Sequence, residues 1–176
     1  MTPPAANISV FAGDQCACIR IVGRANFTLG VEFKLLLDEL QAHDFTCFVL
    51  ELSECSLMDS TILGILTGFG LKQQQRHGEG QPPVVELRNP HERVAELIEN
   101  LGVMSLFRIT HGPFGAPENL QPMEHSPSQP TREETTMLCL KAHEALIAAN
   151  AANAAKFKDV TRFLAEDLKR MKKAGT

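Results

Sequence analysis

The sequence contains no tryptophan and no tyrosine, and its lysines and arginines, 17 against 21 acidic residues, leave it at a net charge of −4. An extended nucleic-acid surface needs clustered cations and stacking rings, so that class of function is excluded. No apolar run approaches the roughly 20 residues of a bilayer crossing, which excludes a membrane span. The opening Met1-Thr-Pro-Pro-Ala-Ala-Asn7 has neither the basic start nor the apolar stretch of an export signal, so the five cysteines are expected free, in a reducing cytoplasm. Also missing are a GxSxG elbow, an HExxH pair and a GxxxxGK[ST] loop, and the glycines from 64 to 70 lack the lysine of a phosphate cradle. Cys16 and Cys18 point to one side of a strand, but no second pair accompanies them and the six histidines are scattered. A structural zinc site is therefore not indicated, buried free thiols are the default, Cys47 especially, and no cofactor is expected.

What is present divides the chain. Residues 1–112 carry eight Lys+Arg against thirteen Asp+Glu, a net −5, and the remainder is close to neutral. The stretch 113–131 is rich in proline, which removes backbone donors and excludes helix or central strand, so it reads as a linker. Residues 132–176 are rich in alanine and free of proline, a helical tail in which Asn150 and Asn153 interrupt the pattern. Its apolar stripe, Phe157, Val160, Leu164, Leu168 and Met171, either folds back on the domain, pairs with a second copy as a homodimer, or binds a dedicated partner.

In the first part, Ile8 and Val10, then Ile19 and Ile21, alternate at period two around Gly13-Asp14, a hairpin pattern. Phe33, Leu36, Leu37 and Leu40 predict a helix, and Cys47 to Leu52 predicts a strand covered on both faces. Ile62, Ile65, Leu66 and Phe69 predict a second helix, in which Gly64, Gly68 and Gly70 each cost about 1 kcal/mol relative to alanine and point to close backbone packing. A strand at 84–87 follows, then a helix with Asn89 as N-cap, Pro90 in the first turn and Glu92 closing a capping box, its stripe formed by Val94, Leu97, Ile98 and Leu101 and its end set by Gly102. A short strand at 106–109 completes the order β-β-α-β-α-β-α-β, an α/β fold with a mixed sheet and a C-terminal helical extension.

Asp59, Ser60 and Thr61 fall where the second helix begins, and capping of free N–H groups accounts for them without further function. In context, however, Met58-Asp59-Ser60-Thr61 followed by Leu63-Gly64-Ile65-Leu66, and preceded by Leu50-Glu-Leu-Ser53, resembles the signature of the STAS domain family, in particular its anti-sigma factor antagonists. Gly23-Arg24 is similar to that family's glycine-containing turn before the first helix. The resemblance spans about residues 7 to 110 and departs from the family at Ile62, usually glycine, and at Glu51, commonly aspartate.

The resemblance implies a non-catalytic bacterial regulator of transcription in the cytoplasm. Ser60 is the implied phosphorylation site, with Thr61 as fallback. Met58, Asp59, Ser60, Thr61 and Ile62 are the implied partner contacts, and the partners are an anti-sigma factor that is also a serine kinase, and a phosphatase. Phosphate adds about −1.5 to −2 charge to a loop that Asp59 already makes anionic, which disfavours docking. Two rivals stand beside this reading: a constitutive STAS scaffold in a signalling or membrane-associated complex in which Ser60 is never modified, and a small-ligand or nucleotide site at the same loop.

Overall fold

The computed structural model describes residues 6–78, 80–113 and 120–175. Strand β1 (Asn7–Ala12) turns at Gly13 into the long β2 (Cys16–Ala25), antiparallel to it, as the hairpin alternation requires. After a short 3-10 turn (Phe27–Leu29), α1 (Gly30–Ala42) leads to β3 (Cys47–Glu51), then β4 (Cys55–Met58), α2 (Ser60–His77), β5 (Val85–Arg88) and α3 (Glu92–Asn100). A second 3-10 turn (Met104–Leu106) precedes β6 (Arg108–Thr110) and β7 (Gln121–Met123). Two long helices, α4 (Arg132–Ala149) and α5 (Asn153–Ala174), close the chain.

The sheet runs β6-β5-β3-β2-β1-β7, parallel from β6 to β2 and antiparallel across β1 and β7, so β3 is interior as its apolar run predicts. The α/β class and the helical extension expected of the sequence are both present. One face of the sheet, with Ala17, Ile19 and Ile21 of β2, Phe48 and Leu50 of β3, and Val85 and Leu87 of β5, meets Phe33, Leu36, Leu37 and Leu40 of α1 and Ile62, Ile65, Leu66 and Phe69 of α2 in one buried core. By alternation the other face carries Cys16, Cys18, Cys47, Glu51 and Glu86.

Several local expectations are corrected. β4 is an added strand: Cys55, Leu57 and Met58 pair with Gly23, Arg24 and Ala25 at the far end of β2, across a register break between Gly23 and Arg24 that leaves Ser56 without a register partner. Gly23, at φ 88°, thus sits inside a strand and makes that break possible, rather than forming a turn before α1. Asn89 does not cap α3, whose N-cap is His91 without a side-chain bond. Instead Asn89 adopts φ 49° and ties loops together, its side chain donating to the Gly112 carbonyl at 2.9 Å and accepting from the Gly112 amide at 2.9 Å. The strand expected at 106–109 begins only at Arg108, because Leu106 belongs to the preceding 3-10 turn.

Within the proline-rich stretch, Gln121–Met123 forms an edge strand on β1, a place where Pro122 needs no ladder partner on its outer side. The remainder of that stretch from 114 to 119 lies outside the described residues. Cys47 is half-buried rather than sealed, while Cys18 and Cys55 are buried.

Asn150 ends α4, and the hairpin it forms with α5 folds back on the domain. Asn153 donates to the carbonyls of Leu101 and Leu146, both at 2.9 Å, and Asn150 donates to the same Leu101 carbonyl at 3.2 Å. Of the tail stripe, Leu168 is buried, Phe157, Leu164 and Met171 are half-buried, and Val160 is exposed.

Candidate functional site

The site lies where β4 delivers the chain into α2. Asp59 takes extended backbone angles and its carboxylate accepts from the Ile62 amide at 2.9 Å, which makes it the N-cap. Its second oxygen accepts from the Phe27 amide at 2.7 Å, joining the mouth of α2 to the turn before α1. The Asp59 amide in turn donates to the Ala25 carbonyl at 3.0 Å. Capping therefore belongs to Asp59, and Ser60, the first helical residue, is left free of that duty.

Ser60 is half-buried, and its hydroxyl lies 3.0 Å from Nε2 of His143, a residue of α4. The other ring nitrogen of His143 is 2.7 Å from the Cys139 carbonyl, which can only accept. Nδ1 therefore carries a proton, and in the neutral ring Nε2 accepts from Ser60. His143 is buried, and Phe157 of α5 meets it edge-on at 4.8 Å between ring centres. One turn earlier on α4, the Thr61 hydroxyl faces Cys139 Sγ at 3.8 Å, and burial pushes the Cys139 thiol up in pKa.

Of the five residues proposed from the sequence as partner contacts, Met58, Thr61 and Ile62 point into the protein, with Ile62 wholly buried, whereas Asp59 and Ser60 reach the surface in part. Ile62 belongs to the inward stripe of α2, as the periodicity indicates. Sequence reasoning missed two neighbours. Phe27 is 49% exposed beside Asp59, a large apolar ring at the rim of the loop. His143 is 83 positions away and carries no local motif, so nothing in the sequence ties it to Ser60.

The sheet face opposite the core carries a second polar cluster. Glu86 accepts from Arg88, Arg108 and Thr110 at 2.9, 2.8 and 2.7 Å. Burial pulls its pKa upward, but these donors outweigh burial and hold the carboxyl below its ordinary value. Cys16 and Cys47 are register partners on β2 and β3; a hydrogen bond from Cys16 lowers the Cys47 thiol to about 7 and raises that of Cys16. Among the described residues no group of three or more His, Cys, Asp or Glu could hold a metal ion, and no helix is long and apolar enough to cross a membrane.

No protein-family model matches the chain, and no curated protein matches it. Among solved structures it is similar to the anti-sigma factor antagonist SpoIIAA in its unphosphorylated form, at 16% identity and a TM-score of 0.47, over 60% of this chain and 87% of that one.

Proposed function

We propose that this protein is a non-catalytic regulator that binds a partner protein through the mouth of α2, and that phosphorylation of Ser60 ends the interaction. The partner in this reading is an anti-sigma factor that is also a serine kinase, and a phosphatase resets the switch. One observation carries it: Ser60 stands at the N-terminal end of α2 with a hydroxyl that Asp59 has relieved of capping.

The motif Met58-Asp59-Ser60-Thr61, in the strand-to-helix setting that its STAS resemblance implies, supports the same reading. A phosphate there meets backbone N–H groups of the first turn and the positive end of the helix dipole, so the start of α2 itself tolerates it. To an incoming partner it adds about −1.5 to −2 charge next to Asp59. A coupling of about 2 to 3 kcal/mol weakens binding roughly 30- to 150-fold, which suffices for a switch. The exposed Phe27 ring supplies an apolar contact at the same rim. Thr61, buried against α4, is the second acceptor in rank.

The test is incubation of the full chain with ATP and extract of its native cell, followed by phosphopeptide mapping. Phosphate on the Ser60 peptide supports the reading. Its absence under every condition favours a constitutive interaction module, in which the same surface binds without modification.

A further inference from the structure

We propose that the C-terminal hairpin is an intramolecular cover over the Ser60 hydroxyl: with α4 docked on α2 the hydroxyl is withheld from phosphoryl transfer while the Asp59–Phe27 rim stays open to a partner, and a phosphate on Ser60 keeps the hairpin off. This inference rests on reading Ser60 as a modification site. Three independent features of the α2–α4 contact carry it.

The first is the closeness at Ser60. His143 is 5% exposed and its Nε2 lies 3.0 Å from the hydroxyl. A phosphoryl group places three further oxygens on that hydroxyl, and the volume they need is filled by a ring that Phe157 backs from the other side. Modification and docking of α4 therefore exclude each other.

The second is the surface on which α4 sits. A Cβ added at Gly64 would lie 2.3 Å from the Ala142 carbonyl oxygen and 2.9 Å from the Ala142 Cβ, so the two helices cross backbone to backbone at that point. A turn later Gly68 faces Ala145, whose Cβ is 3.6 Å from a Cβ built there. Glycine in a helix interior costs about 1 kcal/mol relative to alanine, and at Gly64 the docked α4 gives a packing reason for accepting that loss.

The third is how the hairpin is attached. α4 and α5 are joined to each other by the Arg132–Asp167 ion pair at 3.0 Å and by Phe157 on His143, which favours their release as a unit. Residues 124–131, with Pro127 and Pro130 and no regular structure, join it to β7. Its seat on the domain is imperfect. A cavity of about 210 Å³ lies between α1, α2 and α4, lined among others by Leu37, Gly68, Phe69, Leu138 and Ala145. This cleft opens to solvent and has room for water, with Lys34, Asp38 and Lys141 on its rim, so α4 is not sealed against α1 and α2 along this edge. Release must break the bonds of Asn150 and Asn153 to the Leu101 carbonyl and of Lys156 to the Asn100 carbonyl, and must withdraw Ala142 and Leu146 from the domain's buried core.

The experiment uses the full chain and N-ethylmaleimide as probe of the native Cys139, which faces Thr61 only while α4 is docked. Four proteins are compared: wild type, Gly64→Ala, Ala142→Leu, and the chain carrying phosphoserine at position 60. Cys139 labelling is expected to rise at least about tenfold in the last three, with Cys18 and Cys55 protected throughout. Labelling of Cys139 that stays at the wild-type rate in the phosphoserine chain overturns the proposal, because the phosphate then fits beneath a docked hairpin. If Gly64→Ala also exposes Cys18 or Cys55 it has unfolded, and Ala142→Leu, which changes only the tail, decides with the phosphoserine chain.

Phosphorylation by cell extract and ATP separates this proposal from the reading beneath it. Wild type and Ala142→Leu phosphorylated on Ser60 at equal rates refute the cover and leave the switch standing. A released hairpin with no phosphate on Ser60 in any protein refutes the switch.

Discussion

The Ser60 hydroxyl and the His143 imidazole, 83 residues apart in the chain, meet at 3.0 Å, and the Cys139 carbonyl fixes the ring so that its free nitrogen faces the serine. Ser60→Ala leaves that buried nitrogen unpartnered, which costs about 1–3 kcal/mol, whereas Ser60→Ala with His143→Ala removes both partners. A double-mutant cycle by urea denaturation is expected to return a coupling of about 0.5–1.5 kcal/mol. Strict additivity would mean that the contact contributes nothing in solution.

Asp59 holds two amides, those of Ile62 and Phe27, so it joins α2 to the turn before α1 as well as capping the helix. Asp59→Ala is expected to lower stability by about 1–3 kcal/mol in chemical denaturation, more than a simple cap loss of about 1. Asp59→Asn, which keeps one accepting oxygen, should recover part of the difference. Equal stability of all three proteins would contradict the double role.

Glu86 has a folded-state pKa below its ordinary value, so its contribution to stability is present above the unfolded carboxylate range and is lost as pH falls through the folded pKa. Glu86→Gln should therefore destabilise at pH 7, by about 1–3 kcal/mol, with the gap to wild type closing in acid. Thermal unfolding of the two proteins from pH 7 down to pH 3 measures it, and a gap that does not depend on pH would contradict the assignment.

The Cys47 thiol, lowered to about 7 by the Cys16 hydrogen bond, should react with iodoacetamide at a rate that climbs through neutral pH. Cys16→Ser should leave Cys47 ionising later unless the hydroxyl replaces the bond, and Cys16→Ala removes it outright. Peptide mapping after a timed pulse reads each thiol separately. A Cys47 midpoint that is unchanged in Cys16→Ala would show that the pair is not coupled.

Much of the fold is legible in the sequence because the core obeys simple periods. The stripes of α1 and α2 and the apolar run of β3 all lie where their spacing puts them, and two of the three glycines of α2 mark close packing, Gly64 against Ala142 and Gly70 against Phe107 and Leu106, whereas Gly68 has room for a Cβ at 3.6 Å from Ala145. What escaped was fixed by contacts distant in sequence. β4 is four residues with an exposed serine, too short to show a period, and is a strand only because the far end of β2 is there to pair with it. Asn89-Pro90-His91-Glu92 has the residues of a capping box, but Asn89 is taken by Gly112, and the helix starts later.

The mouth of α2 was legible as a motif, whereas its partner His143 was not. The apolar pattern of the tail left three destinations open; the Gly64–Ala142 crossing folds α4 onto the domain, while of the stripe on α5 Leu168 is buried and Val160 stays exposed.

The account depends on Ser60 being the residue whose modification ends partner binding. Its most direct measurement is affinity capture from the native cell with the full-length chain as bait, carrying either unmodified serine or phosphoserine at position 60. The account predicts that a serine kinase is retained by the unmodified chain and retained roughly 30-fold less, or not at all, by the phosphoserine chain. Equal retention of the same protein by both baits would contradict it.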